Sequence, residues 1–221
     1  MRKPALVLLT LALPATAAAP LRANVVFNWP PPVEFSVFAE SFEPRATALP
    51  FQPGLDVSLG SATGFGAALT TEWTGILSTT FTASYARPGI RLSGTAATST
   101  DGGDLAVLPL AAMAQIRCRP LGRATPYAEA GITYLLVPGS TVKPALAAAG
   151  IASLRRPDHI ALITGAGLKI GLKGHWLADL NATYLPFSQS IFPATRSGQV
   201  LKTQSLDIHP LAIAAGLVYR F

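Results

Sequence analysis

A regular alternation that keeps charge on one face is the feature of this sequence that most constrains its fold. In residues 108–117, uncharged side chains occupy every even position, whereas Met113, Gln115 and Arg117 occupy odd positions. The same separation recurs in residues 126–136, 160–172, 176–185 and 211–221. Successive side chains of a β-strand point to opposite faces of the sheet. Each segment is therefore predicted to be a strand with one uncharged face.

Two kinds of all-β architecture alternate in this way, and the distribution of charge distinguishes them. A soluble sandwich buries its apolar face in the core and exposes a densely charged outer face. In a transmembrane barrel the uncharged face meets lipid, where a Lys or Arg at the bilayer midplane costs about 2–4 kcal/mol. Here the polar face carries few charges and many Gly, Ala and Thr residues. This pattern favours the barrel.

The connections between the predicted strands alternate between short and long. Residues 119–123 and 173–175 form tight turns, whereas residues 138–157 and 186–206 form long connections. Outer-membrane barrels have short periplasmic turns and long external loops. Three earlier segments alternate as well, namely Val33 to Glu40, Gly64 to Glu72 and Leu77 to Ala86.

The count of segments predicts the fold class. With the five segments above, these three give an all-β, eight-stranded antiparallel transmembrane β-barrel of the outer-membrane type over residues 33–221. Residues Leu55 to Leu59 also alternate. The sequence therefore leaves open where the first loop ends and the second strand begins.

The N-terminal residues have the pattern of a secretory signal peptide. Arg2 and Lys3 precede an apolar run from Ala5 to Leu13, and small residues follow. This organisation predicts a signal peptide over residues 1–19, cleaved after residue 17 to 19. Residues 20–32 end in three prolines and are predicted to be an extended periplasmic lead-in, because proline cannot donate to a strand ladder.

Composition argues against several other classes of protein. Half of the residues are hydrophobic, yet no apolar run after the signal peptide is long enough for a spanning helix. Without Arg2 and Lys3 the chain has 15 basic and 11 acidic residues, too mild and scattered an excess to predict a nucleic-acid partner. Cys118 has no cysteine partner, and no cluster has the spacing of a metal site. No metal and no cofactor are predicted.

The parity of a residue, meaning its odd or even position along the strand, predicts whether its side chain faces the lumen or the membrane. Aromatic side chains on the membrane face near the strand ends are predicted to lie at the membrane interfaces. The predicted lumen lining is Met113, Gln115, Glu129, Leu135, Lys169, Leu177 and Asp179. The predicted aromatic girdles contain Trp73, Tyr134, Trp176, Tyr184, Tyr219 and Phe221. Alternation that ends in Tyr219 and Phe221 is typical of a closing barrel strand, and we expect the barrel assembly machinery to recognise it.

Four stretches, taken in order, resemble the outer membrane protein W (OmpW) family of small bacterial barrels. Residues 108–116 (LPLAAMAQI) are similar to a family strand of the form LPP-x-x-MAQ, and residues 123–134 (RATPYAEAGITY) to its RPYVGAG-x-NY strand. Residues 165–187 resemble a G-x-G pattern followed by a strand that begins with Trp and closes with an aromatic residue. Residues 207–221 resemble the DPW…GYRF ending of the family.

The resemblance implies a bacterial outer-membrane protein with a narrow, partly hydrophobic lumen. Such a barrel would help small hydrophobic molecules cross the lipopolysaccharide leaflet, with lateral escape through a gap in its wall. The implied partners are outer-membrane lipid, lipopolysaccharide and small hydrophobic solutes. Met113, Leu135 and Leu177 are apolar residues on the predicted lumen face, where they would either contact a solute or plug a closed barrel.

Two further functions stay open from the sequence. A non-conducting barrel would act as a structural protein or as a surface receptor through its loops. A lipid hydrolase would need a nucleophile and a base within hydrogen-bond reach, and barrel lipid A deacylases carry a His-x-Ser pair. None of His159, His175 and His209 begins such a pair, so no enzyme is predicted.

The charged residues on the lumen face also allow two interpretations. Glu129 and Asp179 would form an acid pair with Lys169 if the barrel were catalytic. Alternatively, the three residues belong to a buried structural charge network, which is the commoner arrangement for ionisable groups inside a membrane protein. The structural interpretation is favoured.

Overall fold

The structure is a computed structural model that describes residues 28–43, 49–52, 55–94, 100–144, 147, 153–155, 159–194, 204–208 and 210–221. The predicted signal peptide, most of the predicted lead-in and His209 lie outside these residues. Within the described part of the chain, no helix is long and apolar enough to span a membrane.

Strands make up most of the described chain, and we number them in chain order. They are β1 (Val33–Glu43), β2 (Leu49–Gln52), β3 (Leu55–Leu59), β4 (Ala62–Glu72), β5 (Leu77–Ala86), β6 (Gly89–Gly94), β7 (Thr100–Arg117), β8 (Ala124–Val142), β9 (Ser153–Arg155), β10 (His159–Gly171), β11 (Trp176–Tyr184), β12 (Phe187–Ala194), β13 (Gln204–Ile208) and β14 (Leu211–Arg220).

Eight of these strands form a closed antiparallel ring in the order β1, β4, β5, β7, β8, β10, β11 and β14. The first and last strands close it through a register that runs from Glu34 opposite Arg220 to Glu43 opposite Leu211. Closure leaves no open sheet edge, which is the condition for strands to cross a lipid bilayer. The predicted eight-stranded barrel is confirmed.

The long connections differ from the sequence prediction because they contain strands of their own. Residues Leu55–Leu59 are neither loop nor ring strand but a separate strand that pairs with β6, and β6 in turn pairs with β7 beyond the ring. The segments β9, β12 and β13 form a small separate sheet. Pairing provides hydrogen-bond partners for backbone groups that project past the ring, so the loops extend the wall instead of lying as irregular coil.

The barrel has two distinct ends, which we name the turn end and the loop end. The turn end carries the short connections 73–76, 118–123 and 172–175, and there the Phe221 amide donates to the Val33 carbonyl at 3.0 Å. Gly174, with a φ of +67°, supplies the left-handed residue of one of these turns. The loop end carries the extensions of β7 and β8.

The outer wall of the ring is apolar in its middle. Phe35, Leu69, Phe81, Leu180 and Ile213 all lie exposed on the outside. Their inward neighbours in sequence are polar or small, as the alternation predicts. In a bilayer these outward side chains would contact the acyl chains.

Inside the ring, a large aromatic side chain fits because two facing residues are glycines. Phe38 on β1 is paired with Gly66 on β4 and with Gly216 on β14. A Cβ at Gly66 would lie 2.5 Å from the Phe38 ring, and a Cβ at Gly216 would lie 2.8 Å from the Phe38 Cβ. The two glycines therefore leave room for the Phe38 side chain, whose ring lies against the inner wall over Gly66.

A charge on the outer wall tests the membrane-spanning arrangement. Leu180 in mid-strand is 50% exposed, and Leu172 at the turn end is 48% exposed. We expect Leu180→Arg to lower the free energy of unfolding from phospholipid vesicles by about 2–4 kcal/mol. Leu172→Arg should lower it by only about 0–1 kcal/mol, because the cost of a charge depends on its depth in the bilayer. Urea titration followed by tryptophan fluorescence measures both. Equal losses for the two variants would contradict the proposed depth of Leu180.

Candidate functional site: the interior cavity

The ring encloses a cavity of about 110 Å³ in its middle. This volume is of the same order as the cavity of about 150 Å³ that holds benzene in an engineered protein core. One part of its lining is apolar and contains Phe38, Phe42, Ala111, Met113, Ile163 and Leu185. Another part is a row of hydroxyl groups from β4 and β5, namely Thr70, Thr80, Thr82 and Ser84.

One hydrogen bond within the hydroxyl row links β4 to β5. The Oγ1 atoms of Thr70 and Thr80 lie 3.0 Å apart across the β4–β5 pair. Both side chains are buried. The row therefore adds a polar stripe to the lining without adding a charge.

Most of the side chains that sequence parity assigned to the lumen border this cavity. They are Met113, Gln115, Glu129, Lys169 and Asp179. Leu135 is buried closer to the loop end, in an apolar cluster with Leu105, Val107, Ala161 and Leu185. Leu177 is half-buried and does not line the cavity. Of the three apolar candidates, Met113 is the one that would touch a molecule inside.

A polar layer forms the floor of the cavity on the side of the turn end, and we define it as Gln115, Tyr127, Glu129, Asp179 and Asn181. The Asn181 Nδ2 donates to Glu129 Oε1 at 2.6 Å and to the Tyr127 hydroxyl at 3.0 Å. The Tyr127 hydroxyl donates to Asp179 Oδ1 at 2.9 Å. The Gln115 Nε2 donates to Glu129 Oε2 at 3.3 Å. Both carboxylates thus have neutral hydrogen-bond donors.

Below the polar layer lies an ion-pair network, which we define as Glu34, Glu72, Arg117, Lys169 and Arg220. The Glu34 carboxylate accepts from Lys169 Nζ at 2.5 Å, from Arg117 at 2.9 Å and from Arg220 at 2.6 Å. Glu72 accepts from Arg220 at 2.9 Å and also from Arg117. A single buried carboxylate therefore joins three cations.

The structure corrects the sequence analysis on the pairing of Lys169. Its ammonium group bonds to Glu34, not to the proposed acid pair of Glu129 and Asp179. Glu34 and Glu72 were missed because single-strand parity gives the face of a residue but not its partner across the barrel. The sequence signal that could have identified them is that both acids lie near the turn ends of their strands, β1 and β4.

The predicted girdle residues lie on the outside of the wall near the two ends. Trp176 and Tyr219 pack edge to face with ring centroids 5.0 Å apart, and Tyr219 packs in the same way against Phe221 at 5.0 Å. Trp73, also at the turn end, donates from Nε1 to Thr79 Oγ1 at 2.9 Å. Tyr134 and Tyr184 are exposed towards the loop end.

The two histidines in the described part of the chain lie at opposite ends of the barrel. His175 is exposed in a turn, where its ring lies 5.8 Å from that of Tyr219. His159 is half-buried at the loop end of β10. No group of three His, Cys, Asp or Glu residues among the described residues is arranged to hold a metal ion.

Comparison with known proteins places this barrel in a family. The OmpW family model matches residues 36–221, which covers β1 from Ser36 onwards and the other seven ring strands in full. The chain belongs to the OmpW family. No curated protein sequence matches it significantly.

Solved structures of outer-membrane proteins share this fold with the OmpW-family chain. OprG from Pseudomonas aeruginosa has a TM-score of 0.73 and 16% identity, covering 86% of this chain and 96% of its own. AlkL in lipid bilayers has a TM-score of 0.65 and 18% identity, covering 96% and 97%. Outer membrane protein W of E. coli has a TM-score of 0.54 and 19% identity, covering 85% and 97%. At these identities the likeness concerns the fold.

Removing the central carboxylate of the network tests how much it stabilises the barrel. Glu34→Gln leaves Arg117 and Lys169 buried beside each other without their main counter-charge. We expect the free energy of unfolding to fall by about 3–5 kcal/mol, as for other buried ion pairs that lose one partner. Urea unfolding from vesicles measures it.

The matched control for that prediction is an exposed ion pair at the loop end. Asp101 accepts from Lys143 Nζ at 2.5 Å, and both side chains are exposed. Asp101→Asn should leave the unfolding midpoint unchanged, because exposed pairs contribute little. A loss for Asp101→Asn as large as that for Glu34→Gln would show that burial of the network is not the cause.

Proposed function

We propose that this OmpW-family barrel is a narrow outer-membrane channel through which small hydrophobic molecules pass by diffusion. The observation that carries the proposal is that a partly apolar cavity lies beside a break in the pairing of strands β5 and β7. The family resemblance described above supports the same function. We infer no catalytic role, because the buried acids are held by Asn181, Gln115, Tyr127 and the ion-pair network.

The cavity has a surface that an apolar solute would prefer to water. Phe38, Phe42, Met113 and Leu185 face it from different strands. Burying apolar surface is favourable by roughly 25 cal/mol per Å², so a solute dissolved poorly in water would gain by entering. The apolar cluster around Leu135 at the loop end gives the entrance the same character.

The strand pairing beside this cavity is interrupted between β5 and β7. Pairs run continuously from Leu77 to Ala83 and resume only at Ala86, so Ser84 and Tyr85 have paired residues on β4 but none on β7. The opposite position on β7 is Pro109, which still pairs with Leu135 on β8. Proline has no amide hydrogen to donate, which accounts for the missing pairs on the β5 side, and we call this break in the ladder the gap.

The position of the gap gives a route from the cavity into the membrane. Ser84 and Pro109, which flank the gap, both line the cavity. A solute would enter at the loop end, occupy the cavity and leave sideways between β5 and β7. With the turn end in the periplasm, as is usual for short turns, the exit lies above the ion-pair network and leads to lipid rather than to water.

The proposed route implies the surroundings in which the protein works. The partners are outer-membrane lipid, lipopolysaccharide at the loop end and small hydrophobic solutes. The strand that ends at Phe221 is the part that we expect the barrel assembly machinery to recognise. The protein would therefore act in the bacterial outer membrane.

Closing the gap tests the route. Pro109→Ala supplies the amide that the β5–β7 ladder lacks, and we expect uptake of a hydrophobic solute to fall at least severalfold. The measurement is the uptake rate of a long-chain alkane or a small aromatic hydrocarbon by cells that express each variant at equal level. Pro120→Ala, in the turn after β7, is the matched control and should leave uptake unchanged.

The outcomes separate the channel from the other functions. Uptake that is equal in expressing and deleted cells would contradict transport and favour a receptor or a structural barrel. Uptake that depends on the protein but not on Pro109 would contradict the lateral route. A change in the lipid A profile on overexpression would contradict the absence of a catalytic role.

A further inference from the structure

One carboxyl group of the cavity lining reaches across strand β4 to the edge of the gap. Glu40 on β1 is paired with Gly64 on β4. A Cβ at Gly64 would lie 3.0 Å from Glu40 Oε1, so the missing side chain lets the carboxyl group lie over β4. The hydrogen-bond partner of Glu40 is the hydroxyl group of Ser84 on β5, and Ser84 flanks the gap. The Glu40 carboxyl group therefore lies beside the proposed exit of the cavity.

The surroundings of Glu40 contain no counter-charge. In the part of the chain that the structure describes, no cation forms an ion pair with Glu40. Lys169 is the only cation among the described residues that line the cavity, and its ammonium group is bonded to Glu34 at 2.5 Å. The two oxygens of a carboxylate can accept several hydrogen bonds, whereas Ser84 has a single hydroxyl to donate. Glu40 therefore retains accepting capacity that a molecule in the cavity can use.

The other two acids of the cavity lining are held by protein donors. Glu129 accepts at both oxygens, from Asn181 at 2.6 Å and from a second amide at 3.3 Å. Asp179 accepts from the Tyr127 hydroxyl at 2.9 Å. Both acids belong to the polar layer at the floor of the cavity. Glu40 is therefore the acid of the lining that is best placed to bind a solute.

The surface next to Glu40 is apolar, so the site has two chemically different parts. Phe38 and Phe42 lie two residues before and two residues after Glu40 on the same strand. Both line the cavity, together with Met113 and Leu185. Such a surface favours an alkyl or aromatic group over water. A molecule that fits both parts has an apolar body and one positively charged end that donates hydrogen bonds.

We propose that Glu40 binds the ammonium group of amphipathic primary amines, whose apolar part occupies the cavity. The amine donates a hydrogen bond to the Glu40 carboxylate and supplies the counter-charge that a buried carboxylate requires. Charge-assisted hydrogen bonds of this kind are roughly twice as strong as neutral ones, so an alcohol of the same length binds more weakly. The proposal rests on the channel function proposed above, and it names a class of solute that the channel would prefer.

The methyl group of Met113 provides a direct measure of binding, because Met113 lines the cavity and the chain has only one other methionine, Met1. Full-length protein with ¹³C-methyl methionine, in phospholipid nanodiscs at neutral pH, is titrated with n-hexylamine and separately with n-hexanol. We expect the Met113 resonance to shift at an amine concentration at least about tenfold lower than the alcohol concentration. A signal from inside the cavity separates binding from partition of the solute into lipid.

A matched pair of variants assigns the preference for amines to Glu40. Glu40→Gln keeps the size of the side chain and removes its charge, and we expect it to reduce the preference to about twofold or less. The affinity for hexanol should stay unchanged. Glu43→Gln, on the exposed outer face of the same strand, is the control and should keep the wild-type preference. The shift in gel mobility on heating verifies that each variant folds.

A comparison of two cations on the wild type keeps the test decisive if Glu40→Gln does not fold. Hexyltrimethylammonium has the tail and charge of protonated hexylamine but no N–H group to donate. We expect it to bind at least severalfold more weakly than hexylamine, because the hydrogen bond to Glu40 is lost. Equal binding of the two cations would show that Glu40 accepts no hydrogen bond from the solute.

The outcomes distinguish this proposal from the channel function. An unchanged amine preference in folded Glu40→Gln, or equal binding of the two cations to the wild type, would overturn the role of Glu40. Loss of the preference in Glu40→Gln with unchanged uptake of hydrocarbon would support both the site and the channel. Selective amine binding, together with hydrocarbon uptake that is equal in expressing and deleted cells, would support the site and contradict the channel.

Discussion

Closure of the hydrogen-bonded ring is the constraint on which the rest of this structure depends. Inside a bilayer there is no water to satisfy backbone amides and carbonyls, so a strand can cross only if both of its edges are paired. The β1–β14 pair provides the last of these edges. Closure also creates an interior, and that interior brings together side chains from distant parts of the chain.

The interior contains three levels with different physical characters. Apolar residues around Leu135 lie towards the loop end, a partly apolar cavity lies in the middle, and a charged network around Glu34 lies towards the turn end. Pro109 interrupts the pairing of β5 and β7 at the level of the cavity. In the proposed function, a solute in the cavity would leave sideways at this level, because charged residues lie below it.

The ion-pair network illustrates how far sequence reasoning reaches in such a barrel. Parity placed Lys169, Glu129 and Asp179 on the inner face of their strands, and these residues do lie beside one cavity. Parity gave no information on distance across the lumen, so Lys169 was grouped with two acids that were predicted to lie on the lumen side, Glu129 and Asp179. Its partner Glu34 is 135 residues away along the chain, and only the closed ring brings β1 and β10 together.

By itself, the sequence determined which face of the last five ring strands meets lipid, because a side-chain period of two and the cost of charge in hydrocarbon leave one allowed choice. It also determined that the ring has eight strands. The tertiary structure decided that Leu55–Leu59 extends the wall beyond the ring, that Leu135 packs above the cavity and that Glu34 joins three cations. These facts depend on the register and closure of the strands, which bring distant residues into contact and are not encoded in the alternation of any single strand.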